Sequence, residues 1–261
     1  MSGGLESGLK CETTKRAFAQ ERGSIFVTSH FRPDPNRWAS RRFGDTGWSP
    51  VVAPPRNRAA TLPRNRALEL IVIGCSLGGM HALQVILSNL TRGFCVPIVV
   101  AQHRHKKSTE ELPAYFRRET DLRVVDAEDK QWIEPGFVYL APADYHLLIE
   151  RNGARGELSL SVDERVHYSR PSIDVLFESA ADAYSDRLIG IVLTGSNDDG
   201  AHGAARIKAR GGIVVAQDPA TAEAPAMPRA AIAASHVDQI LRLEEIAPFL
   251  VEVCQASVSH S

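Results

Sequence analysis

"VIGCSLGGMHAL", residues 72–83, joins an apolar run to a stretch with helical spacing, and a serine, Ser76, stands at the joint between Gly74 and Gly78. Upstream the run begins at Leu68 as "LELIVIG"; downstream Met80, Leu83, Ile86, Leu87 and Leu90 mark one helical face. A buried strand that turns through glycines into an amphipathic helix is the opening unit of a parallel α/β sheet. The same alternation continues along the chain. "VPIVVAQH" (96–103) is expected as a strand, "STEELPAYFRRE" (108–119) as a helix with a Ser/Thr start, and "LRVVDA" (122–127) as a third strand.

The rhythm breaks once. "YHLLIERNGARGELSLSVDE" (145–164) has two alternating runs around a Gly-rich turn, the pattern of an antiparallel hairpin. Then "SIDVLFESAADAY" predicts a helix, "RLIGIVLTG" a buried strand, and "DGAHGAARIKARGG" a helix stopped by Gly211 and Gly212. "IVVAQD", "MPRAAIAASH", "VDQIL" and "LEEIAPFLVEVC" complete the set as strand, helix, strand and helix. The expected fold is a doubly wound, mostly parallel sheet with an inserted hairpin, layered αβα, over residues 67–254.

Residues 1–66 differ in kind. They carry 12 Lys/Arg against 5 Asp/Glu, repeat "PRNRA" at 55–59 and 63–67, and show no sustained apolar period. A disordered basic leader is expected there, and a flexible tail at 255–261. From residue 67 the balance reverses to 18 basic and 26 acidic residues, which argues against nucleic-acid binding by the core. Four scattered cysteines without a CxxC pair, no apolar run long enough to span a bilayer and no signal-peptide pattern point to a cytoplasmic protein without membrane insertion.

In open parallel sheets functional groups collect beyond the carboxyl ends of the strands. Ser76 follows the first strand, His103 the second, and Asp199 lies just past "IVLTG". Gly-x-Ser-x-Gly at a strand-to-helix turn is the pattern that exposes a nucleophilic hydroxyl beside free helix N–H groups. A helix-capping serine has the same local look, and the chain order Ser, His, Asp is not that of the α/β-hydrolases. The glycines lack a phosphate-loop lysine and the dinucleotide spacing. His103 and His105 lack a third ligand for a metal. Asp198 competes with Asp199, and either could cap the following helix; the other histidines, His167 and His202 among them, are expected in structural or loop roles.

Taken together, "IGCSLGG", "AQH", "EPGFVYLAPADYHLLIE", "RPSIDVLF", "VLTGSNDDGAHG", "GGIVVAQDPATAEAPAMPRAAI" and "VDQIL" resemble the catalytic domain of the chemotaxis protein-glutamate methylesterases, the CheB family, over about residues 68–252. The resemblance implies hydrolysis of glutamate γ-methyl esters on the cytoplasmic helices of chemoreceptors, with release of methanol, and in some cases glutamine deamidation. It places the nucleophile on Ser76, the base on His103, the orienting acid on Asp199 and the oxyanion donors on the amides of Leu77 and Ser196. It implies no metal and no organic cofactor; methylated receptors and other chemosensory proteins are the partners it implies. Leu77 stands where many relatives have Thr, and "TGSNDDG" where many have "TGMGxDG"; Asn197 in place of Gly suggests a left-handed backbone there. No receiver-domain pattern precedes the core, so a stand-alone esterase is expected.

Overall fold

The computed structural model describes residues 67–104 and 112–258, with side chains to Cys254. The leader at 1–66, the "HKKSTEE" stretch at 105–111 and the last residues lie outside the described residues. The sequence of elements is β1 (Leu70–Cys75), α1 (Gly79–Ser88), β2 (Ile98–Gln102), α2 (Leu112–Glu119), β3 (Arg123–Asp126), β4 (Phe137–Leu140), β5 (His146–Asn152), β6 (Arg155–Ser161), α3 (Ile173–Tyr184), β7 (Leu188–Val192), α4 (Ala201–Ala209), β8 (Ile213–Gln217), α5 (Ala226–Ala234), β9 (Gln239–Leu241) and α6 (Leu243–Val258).

Seven strands form one sheet in the order β3-β4-β2-β1-β7-β8-β9, and every pairing in it is parallel. The hairpin β5-β6 is a separate antiparallel sheet. Alternate residues of each central strand feed the two faces, as the pleat requires. Ile71, Ile73, Val100 and Ile191 pack with Leu83 and Ile86 of α1, Phe116 of α2 and Ile246 of α6. Leu70, Val72, Val99 and Val192 pack on the other face with Phe177 of α3, Ile207 of α4 and Met227 of α5. Leu147, Ile149 and Leu158 of the hairpin join that second core. The three-layer arrangement expected from the sequence is the one found.

Strand β4 is the element that the sequence did not disclose. "FVYL" is only four residues long and follows Pro135-Gly136, yet it inserts between β2 and β3, with Val138 opposite both Ile98 and Val124. Tyr139 fixes it from behind: its hydroxyl donates to Trp132 O and accepts from Glu134 N.

The chain leaves β1 toward β2 on one side, while β7 returns to pair with β1 on the other. α1 and α4 therefore lie on opposite faces, and the crevice between the carboxyl ends of β1 and β7 is the switch point of the sheet. One close approach sets its floor: a Cβ at Gly74 would run into Ile173 Cγ2, so the first residue of α3 sits directly on the end of β1. Gly74→Ala is expected to cost about 1–3 kcal/mol by overpacking, read as a lowered melting temperature.

Candidate active site

Between the end of β1 and the start of α1, Ser76, Leu77 and Gly78 make a tight turn. Ser76 N–H donates to Thr194 O at 2.9 Å, and Ser76 O accepts from Gly79 N at 2.8 Å. A trans peptide directs N–H opposite to its C=O, so the Leu77 N–H is turned away from α1. Gly78 makes the turn possible with φ 78°, and a side chain there would strike Glu223. Leu77 itself is 55% exposed. Beneath the turn lies Cys75, whose sulfur would be 2.8 Å from a Cβ at Gly79. Burial pushes this thiol far above its ordinary range, so it stays protonated and serves as packing.

The loop after β7 is fixed by the same logic. Gly195 O accepts from Met227 N at 3.0 Å, which turns the Ser196 N–H away from α5. Thr194 ties three loops together: its hydroxyl donates to Leu77 O at 2.9 Å and accepts from Ala224 N at 2.8 Å, while its N–H donates to Gln217 Oε1 at 2.9 Å. Gln217 in turn donates to Thr221 O at 3.1 Å. A single buried hydroxyl thus relates the turns that follow β1, β7 and β8.

His103 follows β2. Cys75 pairs with Gln102, so Ser76 and His103 are the next residues along two neighbouring strands, whose backbones run about 4.8 Å apart. The His103 N–H donates to Cys75 O at 3.1 Å and holds that register beyond the strand end. His103 Nε2 lies 2.7 Å from Asp199 Oδ2. An ionised carboxylate only accepts, so the ring proton belongs on Nε2 and the lone pair on Nδ1.

Asp199 is fully buried and receives four donors. Oδ2 accepts from His103 Nε2 and from Ile173 N at 2.8 Å; Oδ1 accepts from Ser172 Oγ and Asp174 N, both at 2.9 Å. Burial alone would raise its pKa, but the bond and charge of His103 and the N–H donors of α3 outweigh it and hold the carboxyl below its ordinary range. The first turn of α3 supplies those amides at the positive end of the helix. Asp174, in that turn, returns the arrangement. Its Oδ1 accepts from Gly200 N at 2.9 Å and Gly203 N at 2.7 Å, at the start of α4. Each helix N-terminus is therefore capped by a carboxylate from the other.

The structure thus brings Ser76, His103, Asp199, Leu77 and Ser196 to one edge of the sheet and separates Asp199 from Asp198, whose side chain is 67% exposed and faces His167. Neither aspartate caps α4 through its own side chain; that task falls to Asp174. Asn197 does not take the left-handed backbone expected of it. The positive φ of this loop belongs to Gly200, at 97°, where a Cβ would meet Ile173. Thr194, Ser172 and Asp174 were not singled out by sequence; the "RPSID" and "LTG" segments that contain them carry no local signal of their long-range partners. His105 lies outside the described residues, and among the described residues no group of three or more His, Cys, Asp or Glu is arranged to hold a metal.

The switch-point crevice of this doubly covered parallel sheet gathers a serine, a histidine and a buried aspartate, and the proteins this chain is similar to are carboxylic ester hydrolases. Within that class the chain belongs to the CheB methylesterase family, whose sequence model matches residues 71–250. A provisionally named protein-glutamate methylesterase/protein-glutamine glutaminase of Leptospira interrogans is 48% identical over 192 residues, which cover 74% of this chain and 98% of that protein. The protein-glutamate methylesterase/protein-glutamine glutaminase of Maricaulis maris is 37% identical over 205 residues, 78% of this chain and 51% of its own length. Among solved structures, the Thermotoga maritima CheB methylesterase catalytic domain superposes with a TM-score of 0.69 at 34% identity, covering 71% of this chain and 98% of that one.

The Asp199 carboxylate sets an acid dependence of stability. A lowered folded-state pKa adds stability above the ordinary value of 3.8, and this is lost as the pH falls below it. Asp199→Asn strands at least one buried donor and is expected to cost about 2 kcal/mol or more at neutral pH. In denaturant titrations the gap between the two proteins stays constant at neutral pH and narrows below pH 3.8.

Proposed function

We propose that the chain hydrolyses glutamate γ-methyl esters on methylated chemoreceptors, with Ser76 as nucleophile, His103 as general base and Asp199 as the group that orients and charges the imidazole. The observation that carries this reading is the 2.7 Å contact between His103 and the buried Asp199, one strand away from Ser76. With its proton held on Nε2 by Asp199, His103 has Nδ1 available to accept the Ser76 proton as the hydroxyl attacks the ester carbonyl. The fixed amides of Leu77 and Ser196 are the donors for the oxyanion. Protonated His103 then delivers its proton to the departing methoxide, which leaves as methanol. Water, deprotonated by the same ring, cleaves the acyl-serine to glutamate and restores Ser76. Asp199 remains a carboxylate throughout and stabilises the transient imidazolium.

The same cycle with an amide in place of the ester expels ammonia and converts glutamine to glutamate, in keeping with the two activities in the relatives' names. Nothing in the cycle calls on a metal or an organic cofactor. No helix among the described residues is long and apolar enough to cross a membrane.

Methanol release from methylated receptor, wild type against Ser76→Ala, tests the assignment. The variant is expected to lose a factor of about 10⁴ or more in kcat. Equal release by both proteins would discard Ser76 as the nucleophile. Absence of release by the wild type on several receptors would favour a binding module that keeps the fold without turnover.

A further inference from the structure

The cycle above leaves one titratable group near the crevice without a task. His167 sits in a tight turn in which Val166 and Ser169 exchange both backbone hydrogen bonds, at 3.2 and 2.8 Å. Between them, His167 and Tyr168 have φ of 48° and 62°. Two left-handed residues in a two-residue loop are ordinarily Asn-Gly. Two large rings in those places are strained, and such strain persists only where surrounding contacts impose it.

The contacts are those of the imidazole. His167 Nε2 lies 3.4 Å from Asp174 Oδ2, and Nδ1 lies 3.5 Å from Asp198 Oδ1. The ring also stacks on His202, with centroids 6.3 Å apart. Asp174 is 1% exposed; its Oδ1 accepts the amides at the start of α4, while its Oδ2 has no well-aligned hydrogen-bond donor among the described residues and faces the His167 ring. The groups facing His167 are Asp174 from α3, Asp198 and Asp199 from the loop before α4, and His202 from α4. In its own loop, Arg165 and Arg170 are both held by Asp144. The balance around the ring is anionic. The Asp174 carboxylate leads the effects that raise the His167 pKa to about 9, against the opposing effect of burial.

Asp174 and Asp199 are two buried carboxylates joined by one N–H bond, and each carries a histidine: His103 on Asp199, His167 on Asp174. We propose that His167, bridging Asp174 and Asp198, is a positioning residue for the esterase reaction: it ties the Asp198–Asp199 loop to α3 and balances Asp174, and so sets the orientation and basicity of His103 through Asp199. This inference rests on the Ser76-His103-Asp199 reading. Its direction follows from charge. A cation on Asp174 opposes a second cation at His103; without it, the imidazolium formed in the cycle faces a more negative surrounding.

The test is the pH profile of methanol release by the full chain from methylated receptor. For His167→Gln, kcat is expected to fall about tenfold with KM within about twofold. Its acid limb moves up by about 0.5–1 pH unit. Wild type should lose activity as the pH rises through about 9, where His167 gives up its proton, and fall toward the His167→Gln level, while the variant shows no such limb. His167→Arg, with a permanent charge, is expected to restore the acid limb and to keep activity above that pH. A His167→Gln profile that is superimposable on wild type, or lowered by the same factor at every pH, overturns the proposal. Should that variant not fold, Asp198→Asn at an exposed position removes one of the carboxylates that raise the His167 pKa. It should bring the alkaline limb down, and an unmoved limb overturns the proposal as well. If wild type and Ser76→Ala release methanol alike, the triad reading has failed; normal wild-type release, an inactive Ser76→Ala and an unchanged His167→Gln profile reject the role of His167 alone.

Discussion

Everything at the carboxyl edge of this sheet depends on an exchange of carboxylates between two helix starts. Asp199, just ahead of α4, accepts the first amides of α3; Asp174, inside the first turn of α3, accepts amides at the start of α4. Two buried negative charges would be costly in isolation. Here each is surrounded by N–H donors at the positive end of a helix, and the exchange locks both helices to each other. The remaining acceptor capacity of each carboxylate faces a histidine. Orientation of His103 is therefore tied to how α3 and α4 are packed.

Around this lock a second set of bonds fixes backbone rather than side chains. Thr194 contributes its hydroxyl and its amide to bonds with Leu77, Ala224 and Gln217, so that the turns after β1, β7 and β8 are one unit. Ser76 O and Gly195 O are both occupied by the first amides of helices, which fixes the peptide planes that carry the Leu77 and Ser196 N–H groups. On the proposed reading these amides are the oxyanion donors, and donors held in this way require little reorganisation when charge develops before them. On that reading the group that acts at position 77 is the backbone amide, which a leucine supplies as a threonine does.

Most of the architecture was legible because buried parallel strands leave continuous apolar runs and the helices between them keep a clear period. The hairpin was legible from alternation around Asn152-Gly153. β4 was not, since four apolar residues after Pro-Gly carry too little pattern, and only pairing on both sides makes "FVYL" a strand. Ser76, His103 and Asp199 stood out as candidates because each lies past a strand whose end was visible, and the family resemblance chose Asp199 over Asp198. Asp174 and Thr194 did not, because their partners lie 23 to 117 positions away and a buried carboxylate in a first helical turn looks like any helix-start acid. The same holds for His167, whose surroundings only the fold assembles. At Asn197 a local argument from backbone preference misled, because the tight spot was taken by the neighbouring glycine, pressed against Ile173.

Cys75 gives the nucleophile turn an unusual foundation. Its sulfur rests against the bare Cα of Gly79, with no room for another methyl group between them. A large, polarisable atom fills that space with a single contact and no branching. Added volume at either position would have to displace its neighbour directly beneath Ser76, and this turn has less freedom to change than its small residues suggest.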